Sequence, residues 1–300
     1  MKDATKMLMK KHGWRIDRAV HNYIYFLFYY PYVFFLYHLF RILSTYFSWV
    51  KPIRYIIRFA FARYHAKVMS FRDTKKVFEL NEDVTADTEK NKRIVPYKYA
   101  YNILLKDPDF IAVMDCPCKK TMNAPEWTIN SCISVGRINS RFWLERCGEK
   151  YHARKVTQQE ALDLIKKFRK KGYLTQAFFK VATGGNMGVI CNCHMDNCVS
   201  LQATRFARKF DSSASMAAES GYSVVHDGVK CKKCGTCERI CMFHNVTVKD
   251  GVRSYKKKDC MGCELCVEHC PAQALSLYQD PDKSVPLDLD IVRAEYQRTL

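Results

Sequence analysis

Cysteines are the residues of this chain whose spacing most clearly indicates chemistry. The sequence holds 15 of them in 300 residues, and eight form the pattern C-x2-C-x2-C-x3-C twice, the second copy starting 29 residues after the first (231 to 260). The two copies are Cys231, Cys234, Cys237 and Cys241, then Cys260, Cys263, Cys266 and Cys270. This internal repeat has the bacterial spacing for a pair of [4Fe–4S] clusters.

The repeat also predicts which cysteines share a cluster. A cubane cluster offers four iron corners, and each corner requires one thiolate. Three cysteines two residues apart can wrap three corners, and the fourth ligand then comes from the other copy of the repeat. The predicted sets are Cys231, Cys234, Cys237 and Cys270 for one cluster, and Cys260, Cys263, Cys266 and Cys241 for the other. Structural zinc usually takes two separated C-x2-C pairs, so eight cysteines in this order favour clusters.

The residues between and around these cysteines predict a small ferredoxin-like module. Asp250 and Gly251 separate two short apolar runs and predict a hairpin turn. Short helices are expected to start near Cys237 and Cys266. Three lysines crowd the first loop, where they would either raise the potential of that cluster or guide an acidic partner; they are Lys230, Lys232 and Lys233.

Six cysteines further upstream form a second constellation. They are Cys116, Cys118, Cys132, Cys191, Cys193 and Cys198. Two pairs are spaced one residue apart after predicted strands, and because alternate residues of a strand share a face, each pair can aim at one point. We therefore expect a third metal site, either an iron–sulfur cluster or zinc, with buried reduced thiols as the alternative. Cys147 is expected to be a plain thiol, and His194 a surface histidine rather than a ligand.

The order of these motifs resembles a known family. The segments DCPCKK at 115–120, SCISVG at 131–136, QEAL at 159–162 and CNCHMDNC at 191–198 precede the double cysteine repeat. This arrangement is similar to that of the 4Fe–4S dicluster ferredoxin-domain proteins of anaerobes, which carry an additional cysteine-rich domain upstream. The resemblance covers about residues 96–290 and implies iron–sulfur electron transfer in an anaerobic setting. It does not cover residues 1–72, and His194 and Asp196 stand where family members often have further cysteines.

Regular elements are expected to position the upstream cysteines. Residues 110–114 form an apolar run that predicts a buried strand ending at the CPC segment. Thr157 and Glu160 form a capping box that opens an amphipathic helix, which is expected to end near Gly172. The inward residues of that helix are predicted to be Ala161, Leu162, Leu164, Ile165 and Phe168. Pro96 is expected to start another helix that runs through Leu105.

The N-terminal quarter differs in composition from the rest of the chain. Residues 1–72 hold 13 Lys and Arg against Asp3 and Asp17, which leaves +11 of the total charge of +19 in this segment. Residues 19–40 contain no charged side chain and are rich in Tyr and Phe. As a helix this stretch would be ~33 Å long, about the thickness of a bilayer core. A second apolar stretch follows, and Lys51, Arg54, Arg58 and His65 could share one helical face.

Three interpretations of this quarter stay open. It could be an anchor that spans a membrane once, an interfacial or re-entrant helix pair with basic flanks on anionic headgroups, or a buried helix of a soluble protein or complex. Membrane association is favoured, through lipid or a membrane subunit at residues 19–62. Because basic residues flank both ends, we expect a cytoplasmic-membrane protein with its iron–sulfur domains on the cytoplasmic side.

These observations predict an α+β chain of several parts. The expected boundaries are 1–72 for the basic leader and aromatic membrane-associated helices, 73–95 for a linker, 96–223 for a cysteine-rich α+β domain, 224–280 for a C-terminal two-cluster bacterial ferredoxin-like module and 281–300 for a tail. The tail is expected either to pack on the body or to extend toward a partner.

The expected function is electron transfer, with a redox protein or complex as partner. The alternative is an oxidoreductase with a catalytic metal centre at the upstream cysteines, which would require an open metal position. No dinucleotide or phosphate-binding glycine motif is present in the sequence. Nucleic acid is not an expected partner, because the apolar run in the basic segment is too continuous for a solvated binding arm.

Overall fold

The centre of the molecule is a seven-stranded, mostly antiparallel sheet in a mixed α/β architecture. A computed structural model describes residues 3–61, 64–80, 84–85, 103–105, 107, 109–180, 186–208 and 215–292. The helices in these ranges are α1 Asp3–Lys11, α2 Ile16–Leu27, α3 Tyr29–Tyr46, α4 Lys51–Phe61, α5 Phe71–Glu79, α6 Pro117–Thr121, α7 Arg137–Cys147, α8 Gln158–Lys170, α9 Val199–Ala207, α10 Thr236–Arg239 and α11 Leu265–Glu268, with 3-10 turns at Glu126–Thr128 and Lys257–Asp259.

The strands complete the same ranges. They are β1 Tyr64–Met69, β2 Val84–Thr85, β3 Ile103–Leu105, β4 Ile111–Asp115, β5 Asn130–Val135, β6 Arg154–Val156, β7 Leu174–Lys180, β8 Met187–Cys193, β9 Ala217–Ala218, β10 Tyr222–His226, β11 Val246–Lys249, β12 Val252–Tyr255 and β13 Leu275–Gln279. The large sheet has the order β6-β4-β5-β8-β7-β1-β9, and each of its pairs is antiparallel except β1 with β9.

Both faces of this sheet are covered, and the alternation of side chains along each strand separates two cores. Ile133 and Ile190 point to the face covered by α5 and α8. Cys132 and Cys191 point to the other face, which packs against the N-terminal helices and α7. Cys132 and Cys191 are also direct partners in the register of β5 and β8. The sheet therefore places upstream cysteines on the face that the aromatic helices cover.

The N-terminal helices contribute to this core instead of standing apart from it. Tyr25, Phe26 and Tyr29 are buried, and the ring of Phe26 lies 4.7 Å from that of Trp143 on α7. Among the described residues, no individual helix has the length and apolar character to cross a bilayer. Helices α2 and α3 meet that test only as a pair, and they are bent by 97° at their junction.

Two elements near the predicted linker differ from expectation. His65, predicted to share a helical face, lies on β1, which pairs with β7 in the central sheet. Helix α5 occupies much of the stretch expected to begin a linker. Ser70 caps it by accepting a hydrogen bond from the amide of Asp73 at 3.0 Å. Short apolar runs do not distinguish a helix from a strand by periodicity alone, and here pairing with β7 selects the strand.

The helix predicted from Pro96 through Leu105 is wrong at its end, since Ile103–Leu105 is strand β3, paired with β2. Residues 96–102 and most of the predicted linker lie outside the described residues. The other upstream elements agree closely with the predictions. Strand β4 ends at Asp115, just before the CPC segment. The capping box of Thr157 and Glu160 opens α8, and Gly172 with φ of +84° follows its end.

The C-terminal module consists of a two-stranded sheet and a hairpin. Strands β10 and β13 pair antiparallel, and β11 and β12 form the hairpin around Asp250 and Gly251, both with positive φ. Helices α10 and α11 start beside Cys237 and Cys266, as predicted. The tail packs on the body through buried residues of the α5 and α8 core, namely Val285, Leu287, Leu289 and Val292. Residues 293–300 lie outside the described residues.

Candidate iron–sulfur sites

The first site lies at the outer end of the C-terminal module. A cavity of about 300 Å³ is lined by Cys231, Cys234, Cys237 and Cys270. Its four cysteines come from both copies of the repeat and are the ones predicted to share a cluster. Lys232 and Lys233 form part of the same wall. Donor type and grouping therefore fit a cubane cluster, which needs four thiolates around one space.

The backbone around this cavity supplies hydrogen bonds to sulfur. The amide of Ala274 donates to Cys270 Sγ at 3.3 Å, and Thr236 Oγ1 lies 3.3 Å from Cys234 Sγ. Gly235 (φ +72°) turns the chain just before α10. Hydrogen bonds to ligand sulfur stabilise the more negative, reduced form of a cluster and so raise its reduction potential.

The second predicted set is buried more deeply. Burial and the neighbouring Cys260 and Cys241 thiols raise the pKa of Cys263 to about 12. Burial and the other three cysteines of the set likewise raise the pKa of Cys266. The amide of Gly262 donates to Cys260 Sγ at 3.3 Å, and that of Asn245 reaches Cys241 Sγ at 3.5 Å. Raised pKa values favour the protonated thiols of Cys263 and Cys266 in the absence of metal, and iron ions would supply the positive charge that holds them as thiolates.

The loop of this second set is locked against β10. Gly262 has a φ of +62°, and a Cβ atom there would lie 2.2 Å from Ser220 Oγ and 2.3 Å from the carbonyl oxygen of Tyr222. Ser220 Oγ donates to the Gly262 carbonyl at 2.8 Å. Only glycine combines this positive φ with so close an approach.

The upstream cysteines come together from distant parts of the chain. Cys132 Sγ and Cys191 Sγ are 3.7 Å apart across β5 and β8. Further sulfur contacts extend this pair to Cys116 and Cys118 on one side, and to Cys193 and Cys198 on the other. The six cysteines thus form one continuous sulfur cluster on the aromatic side of the sheet.

Proton sharing inside the sulfur cluster is uneven. Hydrogen bonds from Cys118 and Cys132 hold the pKa of Cys116 well below its usual value. Hydrogen bonds from Cys132 and Cys193 do the same for Cys191. The pKa values of the donating thiols are raised for the converse reason. The arrangement can therefore hold at least part of the negative charge that metal ligation requires.

One buried cation lies beside these sulfurs. Lys180 Nζ donates to Tyr25 Oη at 2.7 Å, and its side chain is nearly fully buried. Burial alone would lower the pKa of Lys180, but the acidic groups of Tyr25, Cys191 and Cys132 raise it above its ordinary value. A retained positive charge here offsets negative charge on the sulfur cluster.

The remaining upstream candidates sit apart from the cluster. Cys147 is buried, its Sγ lies 3.8 Å from the carbonyl oxygen of Phe26, and burial raises its pKa to about 11. His194 is partly exposed, packs on Tyr173 and lies 3.3 Å from an Asp196 carboxylate oxygen. These positions suit a plain thiol and a surface histidine, as expected from the sequence.

Within the described ranges, no three His, Cys, Asp or Glu side chains converge closely enough to hold a single metal ion. This holds for the ferredoxin-type cysteines as well as the upstream ones.

A buried arginine joins the two cysteine regions, and the sequence analysis missed it. Arg169 on α8 donates to the Glu268 carboxylate at 2.8 and 3.0 Å and to the Cys263 carbonyl at 2.7 Å. It is only 2% exposed. Arg169 lies four residues after Ile165 and seven after Leu162, so the helical period places it on the inward face, and this charged residue on an apolar face was the available signal.

Comparison with known proteins supports the C-terminal site. The family model described as a 4Fe-4S binding domain matches residues 255–276. This range contains the whole second copy of the repeat, Cys260, Cys263, Cys266 and Cys270. A search of curated proteins gave no match. The matched segment therefore indicates iron–sulfur binding of the [4Fe–4S] type at the C-terminal end of the chain.

Proposed function

We propose that the chain is an electron-transfer protein that relays single electrons through two [4Fe–4S] clusters and a third metal centre, as a subunit or partner of a redox complex. The 4Fe-4S domain match supports iron–sulfur chemistry. The main support for two clusters is the single cavity that is lined by Cys231, Cys234, Cys237 and Cys270. One ligand of that set comes from the matched repeat and three come from the other repeat.

Continuity of packing supports a route between the sites. The core that contains the upstream sulfurs also contains Met242, Met261 and Leu265 of the C-terminal module, with Cys263 packed against it. Arg169 fastens the same interface through Glu268 and the Cys263 carbonyl. Each cluster exchanges one electron and changes no covalent bond of a substrate. The protein's part is to hold the sites at fixed positions, with the upstream sulfurs and Cys263 packed in one core.

The upstream centre is proposed to be an iron–sulfur cluster. Six sulfurs offer more ligands than the four that a structural zinc ion takes. Lys180 would offset part of its negative charge. An oxidoreductase with a catalytic centre at these cysteines is the second candidate, because Cys118, Cys132 and Cys191 line a cavity of about 300 Å³.

Membrane association is proposed through α3 and α4. Their outer faces expose Phe34, Phe35, Ile42, Phe47, Tyr55, Ile56 and Phe59. Lys51, Arg54 and Arg58 lie on the same α4 helix. Exposed aromatic and basic residues on one surface suit the interface of an anionic, cytoplasmic leaflet, with the iron–sulfur domains on that side. A redox protein or complex is the proposed electron partner.

Anaerobic purification with iron and acid-labile sulfide counts tests the proposal. Two clusters predict about 8 iron atoms per chain and three predict about 12. The double variant Cys191→Ser and Cys193→Ser is expected to lose the third group only. Cys147→Ser is the matched control, because Cys147 is equally buried but lies outside the sulfur cluster. Colourless, sulfide-free protein would overturn the redox function, and a count unchanged by the double variant would overturn the third cluster.

A further inference from the structure

A cavity of about 300 Å³ separates the sulfur cluster from the N-terminal helices. Cys118, Cys132 and Cys191 form one wall. The other walls are largely aromatic and apolar and include Tyr29, Tyr32, Val33, Leu36 and Tyr37 of α3. This volume is at the small end of ligand pockets, enough for a substituted ring but not for a long chain.

The cavity reaches the surface through a mouth beside two exposed apolar side chains and the exposed Arg41. Ile56 and Phe59 of α4 line the cavity and are each 49% exposed. The mouth therefore opens on the aromatic surface that is proposed to meet a membrane. A ligand that enters here would come from an apolar phase, and an apolar tail could extend out between these side chains.

Hydroxyl groups connect the cavity with the outer part of the N-terminal helices. Tyr64 Oη, which lines the cavity, donates to Tyr32 Oη at 2.8 Å. Tyr32 Oη lies 3.2 Å from Nε2 of His21, which is half-buried. Lys180, the cross-strand partner of Tyr64, donates from Nζ to Tyr25 Oη, and this second polar pair lines the same cavity. The cavity thus has thiols in one wall and a group of proton donors around Tyr64 and Lys180.

We propose that this cavity binds a lipid-soluble quinone and delivers protons to it. The inference rests on the proposed electron-transfer function and names its substrate class. A quinone is an apolar ring with an apolar tail, which matches the lining and the mouth, and its two carbonyl oxygens accept hydrogen bonds of the kind that tyrosine and lysine donate. An acyl chain would match the mouth, but it has one polar end group and no ring, whereas a quinone offers two carbonyl oxygens on a ring that fits the aromatic lining.

Reduction of a quinone to a quinol takes two electrons and two protons. Both C=O π bonds are lost, two O–H bonds form and the ring becomes aromatic. The electrons come singly from the clusters of the proposed function, which an external one-electron protein carrier refills. Protons pass from solvent through His21 to Tyr32, which lines the cavity and gives a proton to the quinone oxygen as it takes one from His21. Tyr64 Oη donates to Tyr32 Oη and so holds that hydroxyl in place.

Binding is tested with the full-length, anaerobically purified protein and decylubiquinone by isothermal titration calorimetry. Leu36→Trp places a larger ring in the cavity wall, so affinity is expected to fall by at least about tenfold. Phe35→Trp is the control, because Phe35 is on the same helix, is 64% exposed and does not line the cavity. Absence of quinone binding, or equal affinities for both variants, would overturn the proposal.

Proton delivery is tested by following re-oxidation of dithionite-reduced protein on addition of decylubiquinone. Tyr32→Phe keeps the aromatic ring and removes the hydroxyl that passes protons, so re-oxidation at saturating decylubiquinone should slow by about 100-fold. Tyr30→Phe is the matched control, since Tyr30 is the neighbouring tyrosine of α3 and does not line the cavity. Equal re-oxidation rates for the two variants would show that the Tyr32 hydroxyl does not deliver protons to the quinone.

Iron counts on the same samples separate the two proposals. Full iron content without quinone binding would overturn the quinone site and leave electron transfer in place. Low iron content would overturn the proposed function, and the comparison of Leu36→Trp with Phe35→Trp would still decide whether the cavity binds quinone. If the cluster alone fills the cavity, the protein will hold its full iron content and give no heat on titration with decylubiquinone. That result also overturns the quinone site.

Discussion

The two cysteine-rich regions differ most in how they meet solvent. In the C-terminal module Cys234 is exposed, and its neighbours Lys232 and Lys233 are exposed as well. In the upstream region Cys132 is 1% exposed, beneath the aromatic N-terminal helices. The difference suggests a direction: a protein carrier could approach the C-terminal end, whereas the upstream end faces an apolar cavity.

The regions also differ in how their ligands are gathered. In the C-terminal module, the loops of the cysteine repeat set most of the candidate ligands, and Cys270 of the second repeat joins Cys231, Cys234 and Cys237 of the first at one cavity. The upstream sulfurs depend on the packing of four separate chain segments, β4 with α6, β5, β8 and the start of α9. Damage to one loop should therefore act locally in the first region, whereas damage to the sheet should affect the whole upstream site.

The largest effect is expected from removing a C-terminal ligand. Cys266→Ser should lose about 4 iron atoms per chain, because a cubane with one missing thiolate is held weakly. The upstream iron should stay, since its ligands come from other elements. Iron and sulfide counts, together with electron paramagnetic resonance of the reduced protein, check this. Loss of all iron would contradict the independence of the two regions.

A large loss of stability is expected from Gly262→Ala. The added Cβ would lie 2.2 Å from Ser220 Oγ and 2.3 Å from the Tyr222 carbonyl oxygen, and the positive φ adds strain. The free energy of unfolding should therefore fall by about 4 kcal/mol. Gly228→Ala is the control, because a Cβ at Gly228 meets nothing within 4 Å. Urea unfolding of the two purified variants gives the difference. Equal midpoints would show that the loop is not locked against β10.

Removing the arginine that joins the regions should have a somewhat smaller effect. Arg169→Gln leaves the Glu268 carboxylate without its guanidinium partner, so the free energy of unfolding should fall by about 3 kcal/mol. The reduction potential of the adjacent cluster should also fall, since a positive charge near Cys263 is lost. Lys170→Gln, at an exposed position of the same helix, serves as control. An unchanged reduction potential in Arg169→Gln would show that the charge of Arg169 does not influence the adjacent cluster.

The smallest effect is expected at the exposed lysines of the first loop. Changing Lys230, Lys232 and Lys233 to Gln should slow reduction by an acidic one-electron carrier about tenfold at low ionic strength, because charge complementarity mainly changes the association rate. The difference should vanish at high salt. Stopped-flow rates are compared with those of a variant with Lys75, Lys166 and Lys167 changed to Gln, which carries the same net charge. Equal rates for both variants would place the docking surface elsewhere.

Sequence patterns anticipated the C-terminal module in detail, because its ligand spacing, hairpin turn and short helices depend on neighbouring residues. Asp250 and Gly251 form the turn, and the cavity groups Cys231 with Cys270 as the repeat required. The same local logic anticipated the capping box of Thr157 and the end of β4. It did not anticipate β1 as a sheet strand, since its partner β7 lies more than 100 residues away.

What the sequence determined by itself was the set of candidate ligands: eight cysteines in a spacing that predicts two cubanes, and six more upstream, four of them in two closely spaced pairs. Tertiary structure alone decided what surrounds them. Arg169 and Lys180 became buried partners of the cysteine sites, and the aromatic helices came to cover a cavity, only because the sheet brings distant segments together. Ligand spacing is encoded over a few residues, whereas burial and charge pairing depend on long-range contacts that no local pattern specifies.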